Sequence, residues 1–245
     1  MDKPYNDSND SADATHGIRL HLYVGEAQPC AYLPGRAATN EFVYLDGLGS
    51  SVYQNLMDLG FRRSGDVAYR PRCDGCVECV PIRVPVNDFK ATRSQRRSVR
   101  KNRDVRISIT RPQASDEKWD MYRSYLAEQH DGTMSDDRES FERFLYRSPI
   151  DTIEMTYHID GDLVGVGILD VTPSCLSSVY FYFDPNHSRR SLGVFSVIME
   201  IEECRRRGLP YWYGGYHVAE CQRMAYKADF RPNERLGADS RWHRE

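Results

Sequence analysis

Residues 152–217 constrain the fold more than any other stretch. TIEMTYHI and LVGVGILDV, two β-patterned runs, flank Asp160-Gly161-Asp162, a turn signal that joins antiparallel neighbours into a hairpin. VYFYFD follows as a third strand. SLGVFSVIMEIEECRRRG is the best helical pattern in the chain, closed by Gly208, and LPYWYGGY is one more strand. The stretch predicts an α/β (α+β) chain with mixed sheets flanked by helices. A hydrophobic content of 40% with 11% aromatics is enough to fill such a core, and 245 residues are comfortable for two small domains.

Upstream, IRLHLYV (18–24) alternates like a strand, and SSVYQNLMDLGF (50–61) places Val52, Leu56 and Leu59 on a helix ended by Gly60. VAYR and IRVPV bracket a cysteine-rich loop as strands. A basic helix is predicted from Thr92 or Ser94, then the strand VRISIT (105–110). Ser115 caps a helix over DEKWDMYRSYLAEQH, with Trp119, Tyr122 and Leu126 on one face. DDRESFERFLYR is a second helix after the GTMS loop, and AECQRMAYKADF is the last. Over residues 115–230 this order resembles that of N-acyltransferases of the GNAT type. A cruder version precedes it, so two GNAT-like halves are predicted, 17–112 and 113–236, between polar tails at 1–16 and 237–245.

The net charge of −3 hides an asymmetry. FKATRSQRRSVRKNRDVR (89–106) carries eight Lys/Arg and one acid, Asp104. At helical spacing Arg93, Arg96, Arg97 and Arg100 line one side, Lys101 extends them, and Val99 is the only sizeable apolar residue between Thr92 and Asp104. A helix without an apolar stripe gains little from packing, so a polyanion that neutralises it is the natural partner. No base-reading motif is present. Contact with phosphates is expected, and neither DNA nor a membrane.

Cysteines stand at 30, 73, 76, 79, 175, 204 and 221. An odd count, behind an N-terminus lacking an apolar secretory core, predicts a reducing cytoplasm and no disulfides. No run approaches the roughly eighteen apolar residues that span a bilayer. Cys73-x-x-Cys76-x-x-Cys79 has the spacing of a zinc or iron–sulfur clamp, with Cys30 the nearest spare fourth ligand. Three structural or redox-sensitive thiols are the alternative. In DPNHSRRSLGVF (184–195), Arg190 and Gly193 suit a pyrophosphate loop, but Phe195 stands where a small residue belongs, which disfavours coenzyme A.

CAYLPGR, YRPRCDGCVECVPIRVPV and FKATRSQRRSVRKN resemble the N-terminal half of the aminoacyl-tRNA–protein transferases of the N-degron pathway. SSVYFYFDP, SLGVFSVIMEIEECRRRGLPYWYGGY and MAYKADFRPNE resemble their C-terminal half. The likeness spans residues 20–236 in collinear order, and its compact length resembles the bacterial branch that transfers leucine to proteins beginning with Asp or Glu. It implies a cytoplasmic enzyme using aminoacyl-tRNA, a GNAT-like core, and a metal or iron–sulfur centre at Cys30, Cys73, Cys76 and Cys79, with no cofactor required for the chemistry itself. The family's usual LGYW reads GGYH here, so Gly214 and His217 depart from the pattern.

The resemblance implies that the VYFYFD strand lines the active site. Alternation puts Tyr180, Tyr182 and Asp184 on one face, where Asp184 would hold or deprotonate the acceptor amine and the tyrosines would donate hydrogen bonds. An acidic acceptor needs a cation, and Arg83, Lys227 and Arg231 are the candidates. Arg93, Arg96, Arg97, Arg100 and Lys101 would hold the tRNA. Arginyl transfer to the same acceptors is one alternative; others are a conventional acyl-CoA acetyltransferase and a metal-dependent RNA-binding module without transferase activity.

Overall fold

The computed structural model describes residues 19–129 and 137–245. The expected 1–16 tail and the GTMS loop lie outside the described residues. In chain order the elements are β1 (Tyr23–Val24), β2 (Gln28–Pro29), β3 (Ala37–Ala38), β4 (Asn40–Tyr44), α1 (Ser50–Asp58), β5 (Arg62–Ser64), β6 (Val67–Pro71) and β7 (Val80–Pro85). Next come α2 (Arg93–Lys101), β8 (Arg106–Thr110), α3 (Asp116–Gln129), α4 (Arg138–Phe141), β9 (Thr152–Ile159), β10 (Asp162–Val171) and β11 (Cys175–Phe183). The last are α5 (Leu192–Arg206), β12 (Tyr211–His217), α6 (Gln222–Ala225), β13 (Glu234–Leu236) and β14 (Trp242–Arg244).

The main sheet runs β14-β13-β7-β12-β11-β10-β9-β8. β11 and β12 pair in parallel, as the α5 crossover between them demands, and the other neighbours pair antiparallel. Helices cover both faces, which explains the unbroken apolar run of β10. Leu163, Val166 and Ile168 pack under α3 with Tyr122 and Leu126, while Val164 and Leu169 face the core of α5 with Ile198 and Ile201. A smaller antiparallel sheet, β1-β4-β6-β5, packs on α1 through Val43, Tyr53 and Met57, a core that also takes in Cys175 and Tyr213.

Several elements differ from expectation. β7 and β8, from the upstream half, join the main sheet, so it straddles residue 112. Residues 237–245 form no polar tail: β14 pairs with β13, and Trp242 lies over the Arg83 guanidinium, 4.2 Å from Cζ to ring centroid. The strand expected at 18–24 is only Tyr23–Val24 at a sheet edge.

Helix α2 shows how a helix without an apolar stripe packs. Thr92 and Gln95 form a reciprocal capping box. Gln95, Ser98 and Asn102, at i, i+3 and i+7, are buried and donate to the carbonyls of Asp229, Ser191 and Arg190 at 3.1, 3.3 and 2.9 Å. Directed hydrogen bonds replace apolar burial on that face. The opposite face carries the exposed cations Arg93, Arg96, Arg97, Arg100 and Lys101.

Candidate active site

A cavity of about 750 Å³ opens between the main sheet, the N-terminus of α5, α3 and the segment after β12. β12 shapes its floor. Its pairing with β7 shifts register between Tyr213 and Tyr216, at Gly214-Gly215. A Cβ on Gly214 would meet the Trp212 ring at 2.7 Å, so no side chain fits there without moving the indole. Gly215 has φ of 79°, a backbone conformation that costs other residues about 1–2 kcal/mol. The GGYH departure is therefore a bulge that turns two carbonyls toward the cavity's cations.

Lys227, half-buried in the short helical turn after α6, donates to the Tyr216 carbonyl at 3.2 Å and to Met224 Sδ at 3.5 Å. Burial and the nearby Arg62 guanidinium push its ammonium down to about 8. Arg62, only 4% exposed, donates to the carbonyls of Met57 and Phe61 at 3.2 and 2.5 Å, and to that of Gly215 at 3.5 Å. Its guanidinium lies over the rings of Tyr213 and Tyr216, at 5.1 and 5.7 Å. The next residue, Arg63, also lines the cavity but is neutralised by Asp170, which accepts from its Nε at 2.9 and 2.8 Å with both side chains fully buried.

Phe144, Phe181, Phe183, Val194, Val197 and Met224 make the apolar walls, and the described lining contains no Asp or Glu. Tyr180 and Tyr122 also line the cavity, and burial raises both hydroxyls, Tyr122 to about 12, so they enter as neutral donors. Behind the floor, Glu200 of α5 accepts from the Trp212 indole at 2.8 Å. Burial pushes its carboxyl up to about 7, against opposing hydrogen bonds from Trp212 and Ser178.

Of the residues expected here, Tyr180 and Lys227 line the cavity and the rest do not. Tyr182 is fully buried beneath α3 and α4, its hydroxyl 2.8 Å from that of Tyr146. Asp184 accepts from Asn186 N at 3.0 Å and opens a 3₁₀ turn, because an Asp before a Pro is geometrically suited to start one. Arg83 is engaged elsewhere: Nε donates to Glu234 at 2.7 Å, Nη1 to Tyr213 at 2.9 Å, and its plane stacks on Tyr211 and Trp242. Arg231 is exposed and outside the lining. Phe195 points into the main core, 3% exposed, 6.0 Å from the Tyr157 ring, so it does not obstruct the loop as its position in sequence suggested.

Arg93, Arg96, Arg97, Arg100 and Lys101 are all exposed on α2 and, among the described residues, none makes an ion pair with a carboxylate. The helix adjoins the cavity's edge. Lys101 donates to the carbonyl of Arg189, and Ser98 to that of Ser191, which itself lines the cavity with Gly193.

The cysteines gather without converging. Cys30, Cys76 and Cys79 pack with Leu33, Val218 and Cys221, and burial together with Cys30, Cys73 and Cys76 pushes Cys79 up to about 12. The donor chemistry is that of a soft metal. Yet Cys30 accepts from Leu33 N at 3.4 Å, Cys76 from Arg36 at 3.5 Å, and Cys73 donates to the Thr39 carbonyl at 3.7 Å. Among the described residues no three His, Cys, Asp or Glu side chains are placed to hold one ion. All seven cysteines are free thiols.

Arg62 is the cavity residue that sequence reasoning missed. It falls between the 50–61 helical stretch and the VAYR strand, where no motif singles it out, and its burial depends on Tyr213 and Tyr216, some 150 positions away.

Residues 28–97 match the family described as "Arginine-tRNA-protein transferase, N terminus", and residues 117–237 match "Arginine-tRNA-protein transferase, C terminus". The aspartate/glutamate leucyltransferase of Pseudomonas aeruginosa (strain LESB58) is 38% identical over 93% of this chain and 98% of its own. That of Pseudomonas savastanoi pv. phaseolicola is 39% identical over the same shares. Among solved structures, the C-terminal domain of a putative lysylphosphatidylglycerol synthetase from Agrobacterium fabrum superposes with a TM-score of 0.50 at 16% identity, over 79% of this chain and 62% of that one, a likeness of fold alone. The fold is GNAT-like, and no described helix is long and apolar enough to cross a membrane. With both halves matched in order and more than nine-tenths of the chain aligned to curated relatives, this protein belongs to the arginine-tRNA-protein transferase family and is an aminoacyltransferase.

Proposed function

We propose that the protein transfers leucine from leucyl-tRNA to the N-terminal α-amine of proteins beginning with Asp or Glu, in the cytoplasm, marking them for degradation. The observation that carries the choice of leucine is the cavity wall, apolar on several sides and without an acidic residue in its described lining. A leucyl side chain is at home there, whereas an arginyl guanidinium would be buried without a counter-ion at a cost of several kcal/mol. The similarity to aspartate/glutamate leucyltransferases supports the same reading.

The chemistry is a single acyl transfer. The acceptor amine attacks the ester carbonyl, the new C–N bond forms, and the C–O bond to the terminal ribose breaks. The amine proton ends on the departing ribose hydroxyl, so no oxidant, reductant or cofactor enters. An α-amine has a pKa of about 8, so a fraction on the order of a tenth is already neutral at pH 7. Catalysis then rests on positioning and on hydrogen bonds to the developing oxyanion. Tyr180, a neutral donor in the wall, suits the second task. The exposed cations of α2 would hold the tRNA by its phosphates, with the acceptor end passing Ser191 and Gly193 into the cavity. Cys30, Cys73, Cys76 and Cys79 have the donor chemistry for zinc or an iron–sulfur centre, but holding one would require them to draw together from the placement described above, and no step of the transfer is routed through such a centre.

The test is transfer of labelled leucine or arginine from pre-charged tRNA onto peptides beginning with Asp, Glu or Ala. Leucine on Asp and Glu peptides but not on Ala is expected. Arginine instead would overturn the donor; no transfer of either would overturn the activity.

A further inference from the structure

Arg62 and Lys227 stand on the same short bulge. Arg62 Nη2 donates to the Gly215 carbonyl at 3.5 Å, and Lys227 Nζ to the next carbonyl, that of Tyr216, at 3.2 Å. A Cβ on Gly215 would lie 3.5 Å from Lys227 Nζ. Both cations line the cavity, and neither makes an ion pair with a carboxylate among the described residues. For Arg62 this is costly, since a guanidinium that is 4% exposed gives up most of its hydration. Its three carbonyl partners do not neutralise it, and its Nε has no hydrogen-bond partner among the described residues. Arg63, beside it, shows the usual solution, a buried carboxylate held in two hydrogen bonds.

One buried and one half-buried cation at one wall of a cavity, held in place by main-chain carbonyls and without an ion-paired carboxylate among the described residues, form a preorganised anion site. We infer that Arg62, together with Lys227, receives the side-chain carboxylate of the acceptor's first residue and sets the selectivity for acidic N-termini. This rests on the transferase reading and adds to it the residue that measures the acceptor. A phosphodiester of the tRNA is the other anion at hand. Burial disfavours it, because a polyanion tracks exposed cations such as those of α2, while a near-closed wall fits a single small carboxylate. The planar fork of Arg62 suits that carboxylate, and the ammonium of Lys227, pushed down to about 8 by burial and by Arg62, is still mostly charged at neutral pH and is held more firmly in that form when the anion arrives.

The experiment compares peptides beginning with Glu and with Gln, equal in shape and different in charge. Two quantities are read for the wild type, Arg62→Gln and Arg62→Lys: the Kd of each fluorescent peptide, and kcat/KM for labelled leucine transfer from leucyl-tRNA. Wild type is expected to prefer Glu by on the order of a hundredfold, as sites built around a polar partner do. In Arg62→Gln the Glu/Gln ratio should fall at least tenfold in both readouts, with Arg62→Lys retaining part of it. A proportional loss for both peptides in Arg62→Gln would mean that the side chain only braces the α1–β5 turn, and would overturn the inference. So would wild type binding the two peptides alike, or Arg62→Gln weakening leucyl-tRNA binding as much as Glu-peptide binding. Selective peptide binding without any transfer would instead sink the transferase reading and leave the carboxylate site standing.

Discussion

Helix α2 and the cavity wall both gather cations without carboxylate partners, and they differ in the solvent around them. Arg93, Arg96, Arg97 and Arg100 lie in open water, where a charge costs nothing to keep and its reach is cut to about 8–10 Å by physiological salt. Arg62 and Lys227 are held by main-chain carbonyls in a wall where solvent is scarce. The first arrangement attracts any polyanion and discriminates little. The second binds one small anion and rejects its neutral analogue, because an empty site leaves a desolvated charge. One fold thus separates attraction from selection by burial alone.

The sharpest way to break this comparison is to disturb buried charges and ask whether stability responds. Asp170→Ala leaves Arg63 as a second buried cation without a counter-ion, and urea denaturation should show a loss of about 3–5 kcal/mol. A loss under about 1 kcal/mol would mean that this wall is wetter than the structure shows. Glu200 gives the next effect. Folded, it keeps its proton up to about pH 7; unfolded, it releases it near about 4.3. The folded chain therefore binds more protons between those values, and stability falls as pH rises through that window, by on the order of 3 kcal/mol. Glu200→Gln should flatten that slope in unfolding measured from pH 5 to 8, and an unchanged slope would place the titration elsewhere.

A subtler change sharpens the geometry. Gly215→Ala adds strain at φ of 79° and a methyl beside the Lys227 ammonium, so a stability loss of about 1–2 kcal/mol should come with a lower Glu/Gln selectivity. Retained selectivity would detach the bulge from the anion site. The smallest effect on stability is expected from α2. Arg96, Arg97 and Arg100 all changed to Ala should shift unfolding by no more than about 0.5 kcal/mol per site, while the slope of log K against log salt for tRNA binding falls by about 3. An unchanged slope would remove α2 from the RNA interface.

Much of the fold was legible because local pattern and tertiary role agree. The β9–β10 hairpin followed from Asp160-Gly161, α5 from its helical pattern and Gly208, and the start of α2 from Thr92. The polar packing of α2 was not, since Gln95, Ser98 and Asn102 look like surface residues until their carbonyl partners on other elements are known. Of the residues picked from the strand pattern and the motif likeness, Lys227 and Tyr180 line the cavity, whereas Tyr182 and Asp184, which alternation puts on the same face as Tyr180, lie outside its lining. A strand face that begins in the cavity continues under α3 and then leaves the sheet at a turn. Arg83 lies outside the lining for a related reason: its partners Glu234 and Trp242 come from the paired strands β13 and β14, the second of which reads as a polar tail in sequence.

The central claim, that exposed and buried cations divide the work, is tested most directly by one measurement. Leucine transfer from leucyl-tRNA to Glu- and Gln-initiated peptides would be followed at about 50 and 200 mM salt, over which phosphate-mediated binding weakens by orders of magnitude. With subsaturating tRNA, both rates should fall steeply and together, leaving the Glu/Gln ratio unchanged within about twofold. A ratio that collapses in step with the rates would show that selection rests on the same screened attraction as tRNA binding, and the division would be wrong.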